Sequence, residues 1–154
     1  MLSYLVFLAL LLPIQAAVNS TICQEYIDVN NQFNCGENGY PLHYGYKNCM
    51  AFTNPENRDR FDEAGKAWID CTAPCLVAAF ANIAQTSTTC SELQTKAFAS
   101  HVDCYLNCGF CSVCQANKLA FAETFDWADF LNLNSVIQVW QISRKCPNIF
   151  SCLA

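Results

Sequence analysis

The sequence contains few basic residues and few histidines. Eight lysines and arginines stand against thirteen acidic residues, which gives a net charge of −5, and there are two histidines. Proteins that bind nucleic acid or anionic lipid present clustered cations, and here only Arg144 and Lys145 are adjacent. We therefore expect neither nucleic acid nor an anionic membrane surface as a partner.

Residues that carry out catalysis are scarce or poorly placed. No serine lies between glycines, no nucleophile has a plausible base near it, and the histidines do not form a metal-binding pair. Two histidines leave few options for general acid or base chemistry. We predict that the protein is not an enzyme and holds no cofactor and no metal.

Long apolar runs are missing after the N-terminus. Leu5 to Leu12 form one run, followed by Pro13-Ile14-Gln15-Ala16. This is typical of a signal peptide, which we place at residues 1–16 with cleavage after Ala16. The run is shorter than the about 20 residues that span a bilayer, and no later run is long enough. The sequence predicts an exported chain without a membrane span.

Cysteine, by contrast, is abundant. The twelve cysteines are Cys23, Cys35, Cys49, Cys71, Cys75, Cys90, Cys104, Cys108, Cys111, Cys114, Cys146 and Cys152. The mature chain would have 138 residues, which is 154 less the 16 of the signal peptide, and twelve cysteines in it approach the about 8–10% of a disulfide scaffold. Because disulfides persist in oxidising compartments, we predict a secreted, extracellular single domain.

The first part of the mature chain, residues 17–57, is rich in turn residues. It contains the sequon Asn19-Ser20-Thr21, so Asn19 is a candidate glycosylation site. The turn-forming positions are Asn30-Asn31, Gly36, Asn38-Gly39, Pro41, Gly45 and Asn54-Pro55. We predict a loop-rich segment with short helical turns, tied down by Cys23, Cys35 and Cys49.

Residues 58–154 show helical periodicity. A first long helix is predicted by apolar residues at three- and four-residue steps, namely Phe61, Ala64, Trp68, Cys71, Cys75 and Ala79. Pro74 predicts a kink there, or two shorter helices. Thr89 and Glu92 form a capping box for a second helix, whose inward face is Leu93, Ala97, His101, Cys104, Cys108 and Cys111.

A third helix is predicted to start at Asp126 or Asp129. Its apolar stripe is Phe130, Leu133, Ile137 and Trp140, and we interpret Trp127 and Trp140 as core or helix-start positions. Arg144 and Lys145 would complement the dipole in the last turn, and Cys146-Pro147 would end the helix. No stretch alternates apolar and polar residues, so the fold class is all-α: a disulfide-stapled helical domain with a loop-rich N-terminal segment.

The cysteine spacing predicts how the first two helices pair. Cys71 and Cys75 are four residues apart, as are Cys104 and Cys108, so each pair projects from one helix face. If the helices pack antiparallel, Cys71 meets Cys108 while Cys75 meets Cys104. Two bridges would then staple one helical hairpin.

Several stretches resemble the stanniocalcins, a family of secreted glycoprotein hormones. Residues 62–68, Asp62-Glu63-Ala64-Gly65-Lys66-Ala67-Trp68, with Cys75 ten residues after Gly65, are similar to the family block FD-x-x-GKA-aromatic. Over roughly residues 35–146 the further similar pieces are Cys35-Gly36-Glu37-Asn38, Cys49-Met50-Ala51-Phe52, Cys90, Cys104-Tyr105, Cys111-Ser112-Val113, Asn117 and Cys146.

The resemblance implies a disulfide pattern and leaves part of it open. In the family, the positions matching Cys23 and Cys35 are bonded, as are those matching Cys75 and Cys104, and those matching Cys111 and Cys146. The family partners of Cys49 and Cys90 have no counterpart here, so those two are left to pair with each other. With Cys71 and Cys108 in the hairpin, Cys114 and Cys152 remain as a sixth pair. The cysteine that links two family subunits is missing, which leaves a homodimer open.

Two alternative sites compete with this interpretation. His101-Val102-Asp103-Cys104-Tyr105, with Tyr44-Gly45 earlier, resembles the catalytic-histidine helix and calcium loop of secreted phospholipases A2. Yet Ala97-Phe98 stand where paired cysteines are expected, and no glycine-rich run wraps calcium. The spacing Cys108-x-x-Cys111-x-x-Cys114 suits zinc, but export favours oxidised pairs.

The resemblance implies a hormone-like or paracrine ligand linked with calcium and phosphate balance. It would act by binding an extracellular or cell-surface protein, a receptor or a metalloproteinase, through a rigid surface. A phospholipase A2-like enzyme and an extracellular structural or interaction protein on the same scaffold are the alternatives.

Overall fold

The computed structural model describes residues 17–126, 128–129, 133–146 and 152. The predicted signal peptide, residues 1–16, lies outside this part, as do Trp127, Phe130 and Pro147.

The regular structure in the described part is helical, and it contains no strand. The helices are α1 (Gln24–Phe33), α2 (Lys47–Thr53), α3 (Pro55–Arg58), α4 (Glu63–Thr86), α5 (Cys90–Asn107), α6 (Phe110–Val113), α7 (Lys118–Thr124) and α8 (Leu133–Lys145), with a 3-10 turn (Ser20–Cys23) before α1 and a π-helical turn (Pro41–Tyr46) before α2. The all-α prediction is confirmed.

The N-terminal segment is more ordered than its turn residues suggested. Helices α1, α2 and α3 and the π-helical turn occupy most of residues 17–57, which corrects the expectation of a loop-rich segment. Of the predicted turn residues, Asn30 and Asn31 lie inside α1, whereas Asn54 marks a helix start. Asn34 closes α1 in the left-handed conformation with φ 54°, and the Asn54 side chain caps α3 by accepting from the Glu56 N–H at 2.8 Å.

Helices α4 and α5 form the central hairpin. The Asp62 carboxylate caps α4 by accepting from the Gly65 N–H at 2.7 Å, and the Thr89 hydroxyl caps α5 by accepting from the Glu92 N–H at 3.2 Å. Pro74 lies inside α4, which runs continuously for 24 residues. Of the two outcomes predicted for Pro74, the division into two shorter helices is therefore wrong, and the kink stays a prediction.

Helix α4 is long and apolar enough, by length and composition, to cross a membrane. This corrects the expectation that no segment after the N-terminus is long enough to span a bilayer. Within the fold, α4 buries Trp68, Ile69 and Phe80 and carries two disulfides to α5, as a long core helix does.

The hydrophobic core of the described part consists of two clusters, one at the open end of the α4–α5 hairpin and one near its turn. The larger cluster is Phe52, Phe61, Trp68, Ile69, Val102, Tyr105, Val113, Cys114, Ala120, Phe121, Ile142 and Cys146. The smaller cluster is Tyr26, Val29, Tyr40, Phe80, Ala84, Leu93, Ala97 and Phe98. Both clusters contain aromatic pairs: Trp68 and Tyr105 of the larger cluster meet edge to face with 5.2 Å between ring centroids, and Tyr26 and Phe80 of the smaller cluster stack at 4.9 Å.

All twelve cysteines are bonded in six disulfides. The pairs are Cys23–Cys49, Cys35–Cys90, Cys71–Cys108, Cys75–Cys104, Cys111–Cys146 and Cys114–Cys152. Both expected bridges of the α4–α5 hairpin are present, as are the pairs Cys111–Cys146 and Cys114–Cys152.

The two N-terminal pairs differ from those that the family resemblance implied. Helix α1 separates Cys23 from Cys35, and its ten residues span about 15 Å. Bonded cysteines have Cα atoms about 4.4–6.8 Å apart, so an intact α1 prevents a Cys23–Cys35 bond. In the bonds that form instead, the Cα atoms of Cys23 and Cys49 are 5.8 Å apart and those of Cys35 and Cys90 are 5.6 Å apart.

Candidate functional site

The residues of the GKA-aromatic block form the start of α4 and its contact with Asn117. Asn117 accepts from the Asp62 N–H at 2.9 Å and donates to the Asp62 carboxylate at 2.9 Å and to the Val113 carbonyl at 3.0 Å. The bonds from Gly65 N–H and Asn117 lower the pKa of Asp62. A Cβ on Gly65 would stand 2.6 Å from the Asn117 side-chain oxygen. The block therefore has a structural role, since it holds the start of α4 against Asn117.

His101 is a buried, fully bonded histidine. Its side chain is 3% exposed; Nε2 lies 2.8 Å from the Tyr40 hydroxyl and Nδ1 lies 3.0 Å from the Gln138 carboxamide oxygen. Because that oxygen only accepts, Nδ1 carries the proton and Tyr40 donates to Nε2. Burial lowers the pKa of His101 from 6.5 to about 4. The ring is neutral at physiological pH.

This environment does not fit the phospholipase alternative. A catalytic histidine needs a free nitrogen that faces a water and a carboxylate or backbone group that orients it, and both nitrogens of His101 are occupied. Tyr44 and Gly45, compared above with a calcium loop, lie in the π-helical turn, where a Cβ on Gly45 would stand 2.4 Å from the Tyr26 ring. The described residues contain no group of three or more metal-ligating side chains.

A small cavity lies next to this network, between α1, the π-helical turn, α2, α4 and α5. Its volume is about 40 Å³, room for roughly three water molecules and far less than a phospholipid requires. Its lining includes Trp68 and Thr72; the Trp68 indole N–H and the Thr72 hydroxyl are buried without a hydrogen-bond partner among the described atoms. The cavity is therefore too small for a phospholipid substrate.

Helix α8 buries two polar side chains and exposes three large apolar ones. Ser135 and Gln138 are 3% and 6% exposed, whereas Val136, Ile137 and Trp140 are 53%, 44% and 56% exposed. An amphipathic helix normally does the reverse. The interpretation of Trp140 as a core or helix-start position is therefore wrong. The side chains of Phe130 and Leu133 lie outside the described part.

Three contacts fix the orientation of α8. Gln138 binds His101, Ile142 packs into the larger cluster and Cys146 is bonded to Cys111. These residues recur every fourth position and define the buried face. Trp140 lies two positions, about 200°, from both Gln138 and Ile142, so it must point outward.

Arg144 and Lys145 extend the exposed apolar face of α8. The Arg144 guanidinium lies 4.8 Å from the Trp140 ring centroid, a cation–π contact. Both residues lie in the last turn of the helix, as predicted. We call Val136, Ile137, Trp140, Arg144 and Lys145 the α8 surface.

The two cations of the α8 surface differ from the cations elsewhere. Five of the eight basic residues form ion pairs with carboxylates, namely Lys47, Arg58, Arg60, Lys66 and Lys96. Arg144 and Lys145 have no carboxylate within ion-pair distance in the described part of the chain. The α8 surface is therefore apolar at its centre and positively charged at its end, on an acidic protein.

The remaining predicted positions lie away from α8. Asn19 is exposed, and its side-chain oxygen accepts from the Thr21 N–H at 2.9 Å. His43 is exposed. Cys108, Cys111 and Cys114 each form a separate disulfide, which excludes the zinc alternative in this structure.

The stanniocalcin family model matches residues 23–151, which is most of the chain. No curated protein and no solved structure was found that matches. The chain belongs to the stanniocalcin family.

Proposed function

We propose that the protein is a secreted, stanniocalcin-like hormone or paracrine ligand. It acts by binding another protein, an extracellular or cell-surface receptor or a metalloproteinase, and takes part in calcium and phosphate balance. The observation that carries this proposal is the family match over residues 23–151.

The scaffold supports recognition by a rigid surface. Six disulfides link α2, α4, α5 and α6 to neighbouring parts of the chain. A surface that is already ordered loses less conformational entropy on binding. Twelve oxidised cysteines also fit an extracellular protein, because such bonds persist outside the cytosol.

The buried state of His101 supports a role without catalysis. Both ring nitrogens are hydrogen-bonded, and the adjoining cavity of about 40 Å³ is too small for a lipid. The bonding of His101 and the size of the cavity therefore argue against the alternative of a phospholipase-like enzyme.

The proposal is tested by expressing the full chain in secreting eukaryotic cells and purifying it from the medium. Labelled protein should bind target cells saturably, unlabelled protein should displace it, and protease treatment of the cells should abolish binding. Phosphate and calcium uptake by those cells should change on addition of the protein. Unsaturable binding, or calcium-dependent phospholipid hydrolysis that is lost in His101→Ala, would contradict the proposal.

A further inference from the structure

We propose that the α8 surface binds a partner segment that combines apolar side chains with carboxylates. This inference rests on the proposed function, since it names the chemistry of the protein that such a ligand would bind. It goes beyond the family match, which assigns no surface.

The first argument is the exposure of large apolar side chains on one helix face. Val136, Ile137 and Trp140 are 53%, 44% and 56% exposed while Ser135 and Gln138 are buried. Water contact with such side chains is unfavourable, and exposed apolar patches of this kind mark binding sites. Tryptophan and arginine are also the residues most enriched among binding hot spots.

The second argument is charge. Arg144 and Lys145 have no carboxylate partner in the described chain, whereas five other cations do. An approaching carboxylate would find two unpaired cations next to the apolar centre, and complementary charge favours encounter and fixes register. The partner segment should therefore carry acidic residues at one end of its apolar stripe.

A second copy of α8 does not supply that chemistry. The helix sequence Leu133–Lys145 contains no aspartate and no glutamate, so two α8 surfaces packed together would leave all four cations unpaired. The nearby carboxylates of Asp126 and Asp129 already bind Lys47, at 2.9 and 3.0 Å.

An anionic membrane is also a poorer match than a protein segment. Recognition of anionic lipid by charge uses clusters of about four to eight cations. The α8 surface has two, on a protein with a net charge of −5. A peptide segment can place carboxylates at two positions without exposing the rest of the protein to a negative surface.

The test uses synthetic helical peptides that share one apolar stripe and differ only in flanking residues: glutamate, glutamine or lysine. Their affinity for the mature, disulfide-bonded protein is measured by fluorescence anisotropy. We expect the glutamate peptide to bind at least about tenfold more tightly than the lysine peptide. Trp140→Ala should weaken binding about tenfold, and Arg144→Glu with Lys145→Glu should reverse the order of the peptides.

Matched controls lie on α7. Leu119 is 72% exposed, so Leu119→Ser removes an exposed apolar side chain elsewhere, and Lys118→Glu reverses an exposed charge elsewhere. Neither should change peptide affinity. Equal affinity for the three peptides, or no effect of the α8 substitutions, would overturn the inference.

Two further measurements test whether the α8 surface binds a membrane or a second copy of the protein instead. Binding to phosphatidylcholine vesicles that contain phosphatidylserine, lost in Trp140→Ala, would assign the surface to membranes and overturn the inference. A dimer seen by sedimentation velocity that dissociates in Trp140→Ala would assign it to a second copy, with the same consequence. If wild-type protein binds cells saturably and the α8 variants bind equally well, the inference fails while the proposed function stands.

Discussion

The side-chain oxygen of Asn117 lies 2.6 Å from the position that a Cβ on Gly65 would occupy. Asn117 is 3% exposed and hydrogen-bonded on both sides of its carboxamide. It therefore cannot move away without breaking those bonds. The glycine of the GKA-aromatic block is explained by this close approach and not by a turn.

We predict that Gly65→Ala lowers the free energy of unfolding by about 1–3 kcal/mol, as overpacking does. Glycine to alanine inside a helix normally raises stability by about 0.5–1 kcal/mol, so the sign is diagnostic. Urea denaturation measures the change. In an Asn117→Ala background the loss should shrink, because the oxygen that clashes is gone. A stabilising effect of Gly65→Ala in the wild-type background would contradict the contact.

His101 makes stability depend on pH. Burial lowers its folded-state pKa to about 4 from 6.5, so between these values the unfolded chain binds more protons. The contribution of His101 is complete above pH 6.5 and is lost as the pH falls toward 4. From pH 7 to pH 5 the loss should be about 2 kcal/mol, at 1.36 kcal/mol per pKa unit.

Denaturation at several pH values tests this dependence. His101→Gln should flatten the profile between pH 7 and pH 5. The tyrosines beside His101 do not titrate in this range, since burial raises the pKa values of Tyr40, Tyr44 and Tyr105. Identical slopes for His101→Gln and the wild type would show that another group is responsible.

The two bridges of the α4–α5 hairpin should contribute non-additively. Cys71–Cys108 and Cys75–Cys104 close nested loops of 37 and 29 residues' separation. While one bridge remains, the unfolded chain still holds the hairpin loop closed, so removing the other costs little entropy. Removing both should cost more than the sum of the two single losses, and more than the about 2–4 kcal/mol of one typical disulfide.

Alanine pairs at each bridge, alone and combined, give the comparison by denaturant unfolding without reductant. A sum of single losses equal to the combined loss would show that the bridges act on different parts of the unfolded chain.

Asn19 should carry a glycan in the secreted protein. It is exposed, and its side-chain oxygen already accepts from Thr21 in the first turn of the described chain. Intact mass before and after endoglycosidase treatment measures occupancy. Thr21→Ala should remove the glycan and Thr21→Ser should keep it, because the sequon accepts either hydroxyl residue. Equal masses for wild type and Thr21→Ala, after correction for the substitution, would contradict the prediction.

The hairpin could be predicted from the sequence because the features that specify it are residues close together in the chain. Four-residue spacing places Cys71 with Cys75 and Cys104 with Cys108 on single helix faces, and a capping residue marks the start of α5. No tertiary knowledge was needed beyond antiparallel packing.

The orientation of α8 could not be predicted in this way. Periodicity shows that Ile137 and Trp140 share a face, but not whether that face meets the core or a partner. The side was decided by Gln138, Ile142 and Cys146, whose partners His101 and Cys111 belong to other helices. The polar Gln138 gave no sequence signal for burial.

The pairing of the N-terminal disulfides was predicted wrongly for a related reason. The pairing of Cys23 with Cys35 was taken from the family resemblance, while the segment between them was interpreted as loops. Its turn-forming residues Asn30 and Asn31 lie inside α1, and this ten-residue helix keeps the two cysteines apart. Recognising α1 would have excluded the bond on distance alone.

The central claim is that the protein is an exported helical scaffold held by these six bonds. The disulfide map of the protein recovered from the medium tests this claim most directly. Cleavage after Glu25 and Lys47 separates Cys23, Cys35 and Cys49 onto different peptides, and cleavage after Phe80 separates Cys75 from Cys90. Mass spectrometry without reduction should find Cys23 linked to Cys49, Cys35 linked to Cys90, and both hairpin bridges. Free thiols in a chain retained inside the cell, or Cys71 and Cys75 linked outside residues 104–108, would contradict it.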